Sequence, residues 1–189
     1  MSLTVSELCF GRFQKEKLVT VRRLDGSRAQ LLLPPLQTPF GPQRGKSQGR
    51  WYLDLPLSDA DAVRTLTELD AWAATAAQEA WPGCKYIPAL KARQHLLPKV
   101  RARFSAAGPY GLRCWTPEHE PVCWRDMNLK TSFLTPLLHV RGLWSEADSC
   151  GLLLELTDVI VEDRGCPFTG TPCERKNVAE GKTHDGDRD

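Results

Sequence analysis

Lys99-Val100-Arg101-Ala102-Arg103-Phe104 alternates strictly between cationic and apolar residues. Successive side chains of a β-strand point to opposite faces, so the run predicts a strand with three cations on one side and three apolar groups on the other. It sits in a stretch, residues 82–117, that contains no Asp or Glu yet carries Lys85, Lys91, Arg93, Lys99, Arg101, Arg103 and Arg113 together with Tyr86, Tyr110 and Trp115. A cationic sheet face with rings nearby suits a nucleic-acid backbone and its bases. The plainer reading of the same residues is a solvated strand face, since basic strands are common.

Outside this stretch the charge comes in blocks. Residues 12–50 hold nine cations against Glu16 and Asp25, residues 51–81 hold six acids against Arg64, and residues 118–163 hold nine acids against three cations. The blocks nearly cancel to a net charge of +2, far from a strongly basic domain. Folding can still gather one sign on one face. The 189 residues suffice for one domain, here expected over residues 1–163. Residues 164–189, polar and balanced in charge, read as a flexible tail.

Seven cysteines, an odd number without a secretory signal before them, predict reduced thiols and a soluble intracellular protein. No segment approaches the ~20 apolar residues that span a bilayer, so no membrane partner is expected.

The segments Leu18–Leu24 and Arg28–Leu33 flank Asp25-Gly26, a signal for a hairpin. A Pro- and Gly-rich loop follows, with Arg44, Lys46 and Arg50 on it, and then Trp51-Tyr52-Leu53-Asp54-Leu55-Pro56-Leu57, whose odd positions are all apolar. Ser58 with Asp61 reads as the N-cap pair of a helix ending before Trp81-Pro82-Gly83, with Asp59, Asp61, Glu68, Asp70 and Glu79 on its polar side. Such an acidic side would repel phosphate, so the helix should plug the core away from any nucleic-acid groove. Further strands are expected near 98–105, 111–115, 121–125, 134–143 and 150–161. The chain is therefore mostly β with one inserted α-helix, and the absence of strand–helix alternation points to a barrel or sandwich.

Constellations for catalysis are weak. Cys114, His119, Cys123, Cys166 and Cys173 lack the paired spacing of a structural zinc site, so no metal is expected. There is no nucleophile elbow, Gly-rich phosphate loop or carboxylate cluster of a two-metal nuclease, which argues against an enzyme and against a cofactor. His139 within Leu137-Leu138-His139-Val140 reads as a half-buried strand histidine. Trp72 and Trp144 read as core residues, whereas Trp51 and Trp115, each near an arginine, are candidates to stack on bases.

Three segments together resemble a known family. Leu32–Gly41, Tyr86–Lys91 leading into Lys99–Arg103, and Leu138–Trp144 before Leu152–Leu156 resemble, in order and spacing over residues 8–162, the single-stranded DNA-binding proteins of large eukaryotic DNA viruses. Those look similar in turn to the single-stranded DNA-binding protein of short-tailed phages. The resemblance implies an OB-type barrel, closed or partly open, and a non-catalytic role in DNA replication, recombination or repair at a viral replication site or in the nucleus. It implies that Thr38–Gly41 is a framework turn and Gly142–Trp144 is barrel packing. Phage-type members tend to end in a strongly acidic tail, which residues 164–189 do not reproduce.

The expected partner is single-stranded DNA, with replication proteins and a second copy in a homodimer left open. Lys91, Arg93, Lys99, Arg101, Arg103 and Arg113 would neutralise phosphates. Arg44, Lys46 and Arg50 would close over the strand, while Trp51, Tyr110 and Trp115 would stack. Two rivals use the same residues: an RNA-binding OB-like protein, and a structural or assembly protein of a virus particle or polymerase complex whose basic face meets an acidic partner.

Overall fold

The computed structural model describes residues 3–14, 18–45, 50–108 and 111–163. Lys46, Tyr110 and the expected tail at 164–189 lie outside them. Thirteen strands and one α-helix are found among the described residues. In chain order they are β1 (Leu8–Gln14), β2 (Leu18–Arg23), β3 (Gln30–Leu32), β4 (Leu36–Gln37), β5 (Gln43–Arg44), β6 (Arg50–Pro56), α1 (Ala60–Ala80), β7 (Lys85–Ile87), β8 (Leu90–Arg93), β9 (Leu96–Ser105), β10 (Arg113–Trp115), β11 (Pro121–Val122), β12 (Phe133–Glu146) and β13 (Ser149–Glu162). The protein is thus mostly β with one helix, as the sequence predicts. The sheet runs β1-β2-β12-β13-β9-β6-β5, and among the described residues no pairing closes it.

The longest element pair is the β12–β13 hairpin, in register from Glu146↔Ser149 to Phe133↔Glu162. Its turn places Ala147 at φ 49°, in the left-handed region that tight hairpin turns require. Both strands alternate, so Leu134, Leu138, Val140, Leu154, Leu156, Val159 and Val161 enter the core. Register shifts at Arg141 and Thr157 bend the pair.

Around Asp25-Gly26 the expected turn is present, with the Ser27 N–H donating to Asp25 Oδ1 at 2.8 Å and Gly26 at φ 81°. The hairpin is not continued, however. Past the single Arg22↔Arg28 bridge the two strands diverge, and both pair with β12 instead, β2 at Gly142–Trp144 and β3 at Leu137–His139. Long-range pairing with a long, buried strand outcompetes the local partner.

The helix begins one residue later than the sequence suggests. Asp59, not Ser58, is the N-cap, its carboxylate accepting from the Ala62 N–H at 2.7 Å. Leu66, Leu69, Ala73, Ala76 and Ala77 are buried on its inner side, and the ring of Trp72 stacks on Phe10 of β1 at 4.2 Å. Asp70, read from sequence as part of a solvated acidic side, is buried. Its carboxylate accepts from Tyr86 Oη at 2.6 Å and from the N–H groups of Ala89 and Leu90 at 2.9 Å each. Three donors satisfy the buried charge and tie α1 to the start of the basic segment. Burial first, and then this carboxylate, push the Tyr86 phenol well above its usual range.

Gly142 explains how β2 reaches β12. A Cβ at this position would lie 2.1 Å from the Val19 carbonyl oxygen, which belongs to the neighbouring backbone and cannot swing aside. Gly142→Ala should lower stability by about 1–3 kcal/mol, as overpacking does. Urea unfolding measures it, and an unchanged midpoint would contradict this account of the close approach of β2 to β12.

Candidate nucleic-acid interface

The alternation in the opening stretch is realised in β9. Val100, Ala102 and Phe104 are 0%, 0% and 3% exposed, and Lys99, Arg101 and Arg103 project from the other face. On β6, opposite, Leu53 and Leu55 are buried while Tyr52 and Asp54 share the cationic face, since Tyr52 pairs with Arg103 and Asp54 with Arg101.

Following register across the sheet reveals a continuous row. Gln30 pairs with His139, His139 with Glu155, Glu155 with Arg103, Arg103 with Tyr52, and Tyr52 with Gln43. All six are half-buried. Residues in register on adjacent strands point the same way, so this is one polar strip running across β3, β12, β13, β9, β6 and β5. At the ~4.8 Å spacing of neighbouring strands it spans ~24 Å.

Beside His139 and Glu155 the strip deepens into a groove of about 660 Å³, where β2 and the segment entering β3 fork apart over β12. Arg22, Arg28, Arg113 and Arg141 line it with His139 and Glu155, and no residue of α1 does. Among the described residues Arg22 and Arg28 have no carboxylate partner, though Arg22 donates to the Gly26 carbonyl at 3.3 Å. Burial first, and then these arginines and Arg141, press the His139 pKa below its ordinary value against the opposing pull of Glu155. The imidazole is therefore neutral at pH 7.

Lys99, Arg101, Arg103, Arg113 and Arg141 are paired with carboxylates. Asp54, 5% exposed, accepts from Lys99 Nζ at 2.6 Å and from Arg101 Nε and Nη2 at 2.6 and 3.0 Å. Glu155 is shared by Arg103 and Arg141. Asp158 accepts from Arg113 Nη2 at 2.8 Å and Trp115 Nε1 at 3.2 Å. The sequence missed these partners because they come from β6 and β13, far along the chain from the acid-free segment.

The expected site residues fall into groups. Lys99, Arg101 and Arg103 share one face, and Lys91 extends it onto β8 opposite Lys99. Arg93 is exposed further along β8. Arg113 lies at the groove. Arg50 pairs with Ser105, which also lines the groove, and Arg44 lies on β5 opposite Trp51. Trp115 is half-buried, its ring tethered by Asp158. Trp51 is placed differently from its expected role: it faces inward, 6.4 Å from Phe104 and 5.1 Å from Trp124 between ring centroids. The ring that β6 offers to the cationic face is Tyr52, with the Arg101 guanidinium 5.9 Å from its centroid. Arg22, Arg28, His139 and Arg141 were not foreseen as site residues, although His139 and Arg141 alternate with buried Leu138 and Val140.

Other chemistry is sparse. Among the described residues no three His, Cys, Asp or Glu side chains gather as a metal site. Burial pushes the Cys114 thiol up to about 12, which leaves it protonated at pH 7. No helix among the described residues is long and apolar enough to cross a membrane.

No family model and no curated protein matches the chain. A solved structure does. The single-stranded DNA-binding protein from bacteriophage Enc34, in complex with single-stranded DNA, is similar with a TM-score of 0.52 over 87% of this chain and 99% of that one. At 12% identity the likeness is one of fold.

The ion pairs of this face have a pH signature. Chiefly through the hydrogen bond from Arg101, with Lys99 adding to it, the Asp54 carboxyl is held at about 2 rather than 3.8. A depressed folded-state value stabilises the fold above the unfolded value and loses that contribution as pH falls. Asp54→Asn should therefore flatten the loss of stability between pH 4 and pH 2, measured by urea unfolding at several pH values. A variant that loses stability as steeply as the parent there would contradict the pairing.

Proposed function

We propose that this chain is a non-catalytic, OB-type protein that binds single-stranded DNA with little sequence preference, in replication, recombination or repair. The observation that carries the reading is the transverse strip from Gln30 to Gln43, with a groove beside its His139 and Glu155 where two arginines lack a carboxylate partner among the described residues. A single strand laid along it would meet guanidinium groups for its phosphates and the Tyr52 ring for a base. The strip's ~24 Å suits a short site, near the lower end of the ~4–16 nucleotides that one OB-type domain covers.

The similarity in fold to a phage protein solved with single-stranded DNA supports the same reading. So does the resemblance of residues 8–162 to the viral single-stranded DNA-binding proteins. Arg22, Arg28 and Arg141 join Lys91, Arg93, Lys99, Arg101, Arg103 and Arg113 in neutralising phosphates. Arg44 and Arg50, with Lys46, would add phosphate contacts, and Tyr52 and Trp115, with Tyr110, would be the stacking rings.

Filter-binding titrations with an oligothymidylate over a range of salt test this. Arg22→Ala with Arg28→Ala should weaken binding and flatten the log–log salt slope by about 0.7 for each phosphate no longer neutralised. Tyr52→Leu should cost about 1–3 kcal/mol of affinity with little change of slope. Unchanged affinity and slope in both variants would overturn the assignment. Competition by equal-length RNA separates the RNA-binding rival: an RNA that displaces the DNA at lower concentration would favour it.

A further inference from the structure

We propose that Glu155 is an internal competitor for the bound strand: its carboxylate occupies, in the free protein, the phosphate site formed by Arg103 and Arg141. The inference rests on the binding reading above and deepens it by naming the residue that limits affinity.

Glu155 stands at the centre of the strip, in register between His139 and Arg103. Its Oε1 accepts from Arg103 Nε at 3.0 Å and Nη2 at 2.7 Å, and Arg141 Nη1 donates to Oε1 and Oε2 at 2.8 Å each. Two guanidinium groups thus converge from different strands on one anion. With side chains 19%, 22% and 38% exposed, Glu155, Arg103 and Arg141 are reachable from solvent yet partly desolvated. The two arginines hold the Glu155 carboxyl below its usual value against the opposing effect of burial, so the anion is present at pH 7.

A phosphodiester presents the chemistry that the two arginines already bind, an oxygen anion taking several N–H donors at once. Glu155 has two effects on it. It fixes the arginine rotamers before the ligand arrives, which lowers the ordering cost. It also repels the incoming phosphate and must surrender its hydrogen bonds, which lowers affinity and keeps binding reversible.

Glu155→Gln removes the charge and keeps the shape. With an oligothymidylate of about ten nucleotides, a length within the range that one such domain covers, the variant should bind roughly tenfold tighter at low salt. Its salt slope should steepen by about 0.7, as if one more phosphate were neutralised. The gain should vanish when Arg103→Gln and Arg141→Gln are added. A variant that binds as the parent does, or more weakly with a shallower slope, overturns the proposal and leaves single-stranded DNA binding standing. A parent that binds no oligonucleotide overturns the binding reading, and this inference with it.

Should the variant fail to unfold cooperatively, the parent alone decides. Carbon-13 NMR titration of the Glu155 carboxyl should show it protonating at higher pH in the complex than in the free protein, because bound phosphate has taken its partners. The same titration curve with and without DNA overturns the proposal.

Discussion

The antiparallel ladder between β12 and β13 is the constraint on which the rest of the structure depends. β2, β3 and β4 attach to β12, while β7, β9 and β10 attach to β13, so one hairpin fixes the position of strands drawn from most of the chain. Its alternation sorts apolar side chains to the core and polar ones outward, and a slip of one residue would exchange the two sets. The bulges at Arg141 and Thr157 matter for the same reason. They let the ladder bend without losing that sorting, and Arg141 projects beside the groove where β2 and β3 part.

The charge pattern follows from this scaffold. A segment without acids and the acidic segments around it are brought together by pairing, so the positive face is tempered by Asp54, Glu155 and Asp158. The result is a set of oriented guanidinium groups rather than a bare cationic patch. Buried or half-buried carboxylates hold arginines in fixed rotamers, and Arg22 and Arg28, with no carboxylate partner among the described residues, add charge at the groove. The acidic helix contributes to the core instead, with Asp70 turned inward as a tie to the Tyr86–Leu90 segment.

Local pattern made much of the fold legible. β9 could be read from alternation, β12 and β13 as strands near 134–143 and 150–161, and α1 from helical spacing and the Trp81-Pro82-Gly83 stop. Pairing partners could not be read, because they join residues far apart in sequence. The Asp25-Gly26 turn was visible while the departure of both its strands to β12 was not. The cationic face of β9 was legible, and its carboxylate partners were not. For Trp51, the alternation of β6 already assigns it to the apolar side with Leu53 and Leu55; proximity to Arg50 was the misleading cue. Arg22 and Arg28 looked like ordinary hairpin residues until the fork between β2 and β3 made them groove residues.

The central claim is that a nucleic-acid strand crosses the sheet along the row joining Gln30, His139, Glu155, Arg103, Tyr52 and Gln43. Backbone amide NMR of the parent protein, titrated with a short oligothymidylate at low salt, tests it most directly. The account predicts the largest shift changes along that row and in the Arg22–Arg28 turn, with α1 unmoved. Changes confined to α1 and β7, or no saturable change anywhere, would contradict it.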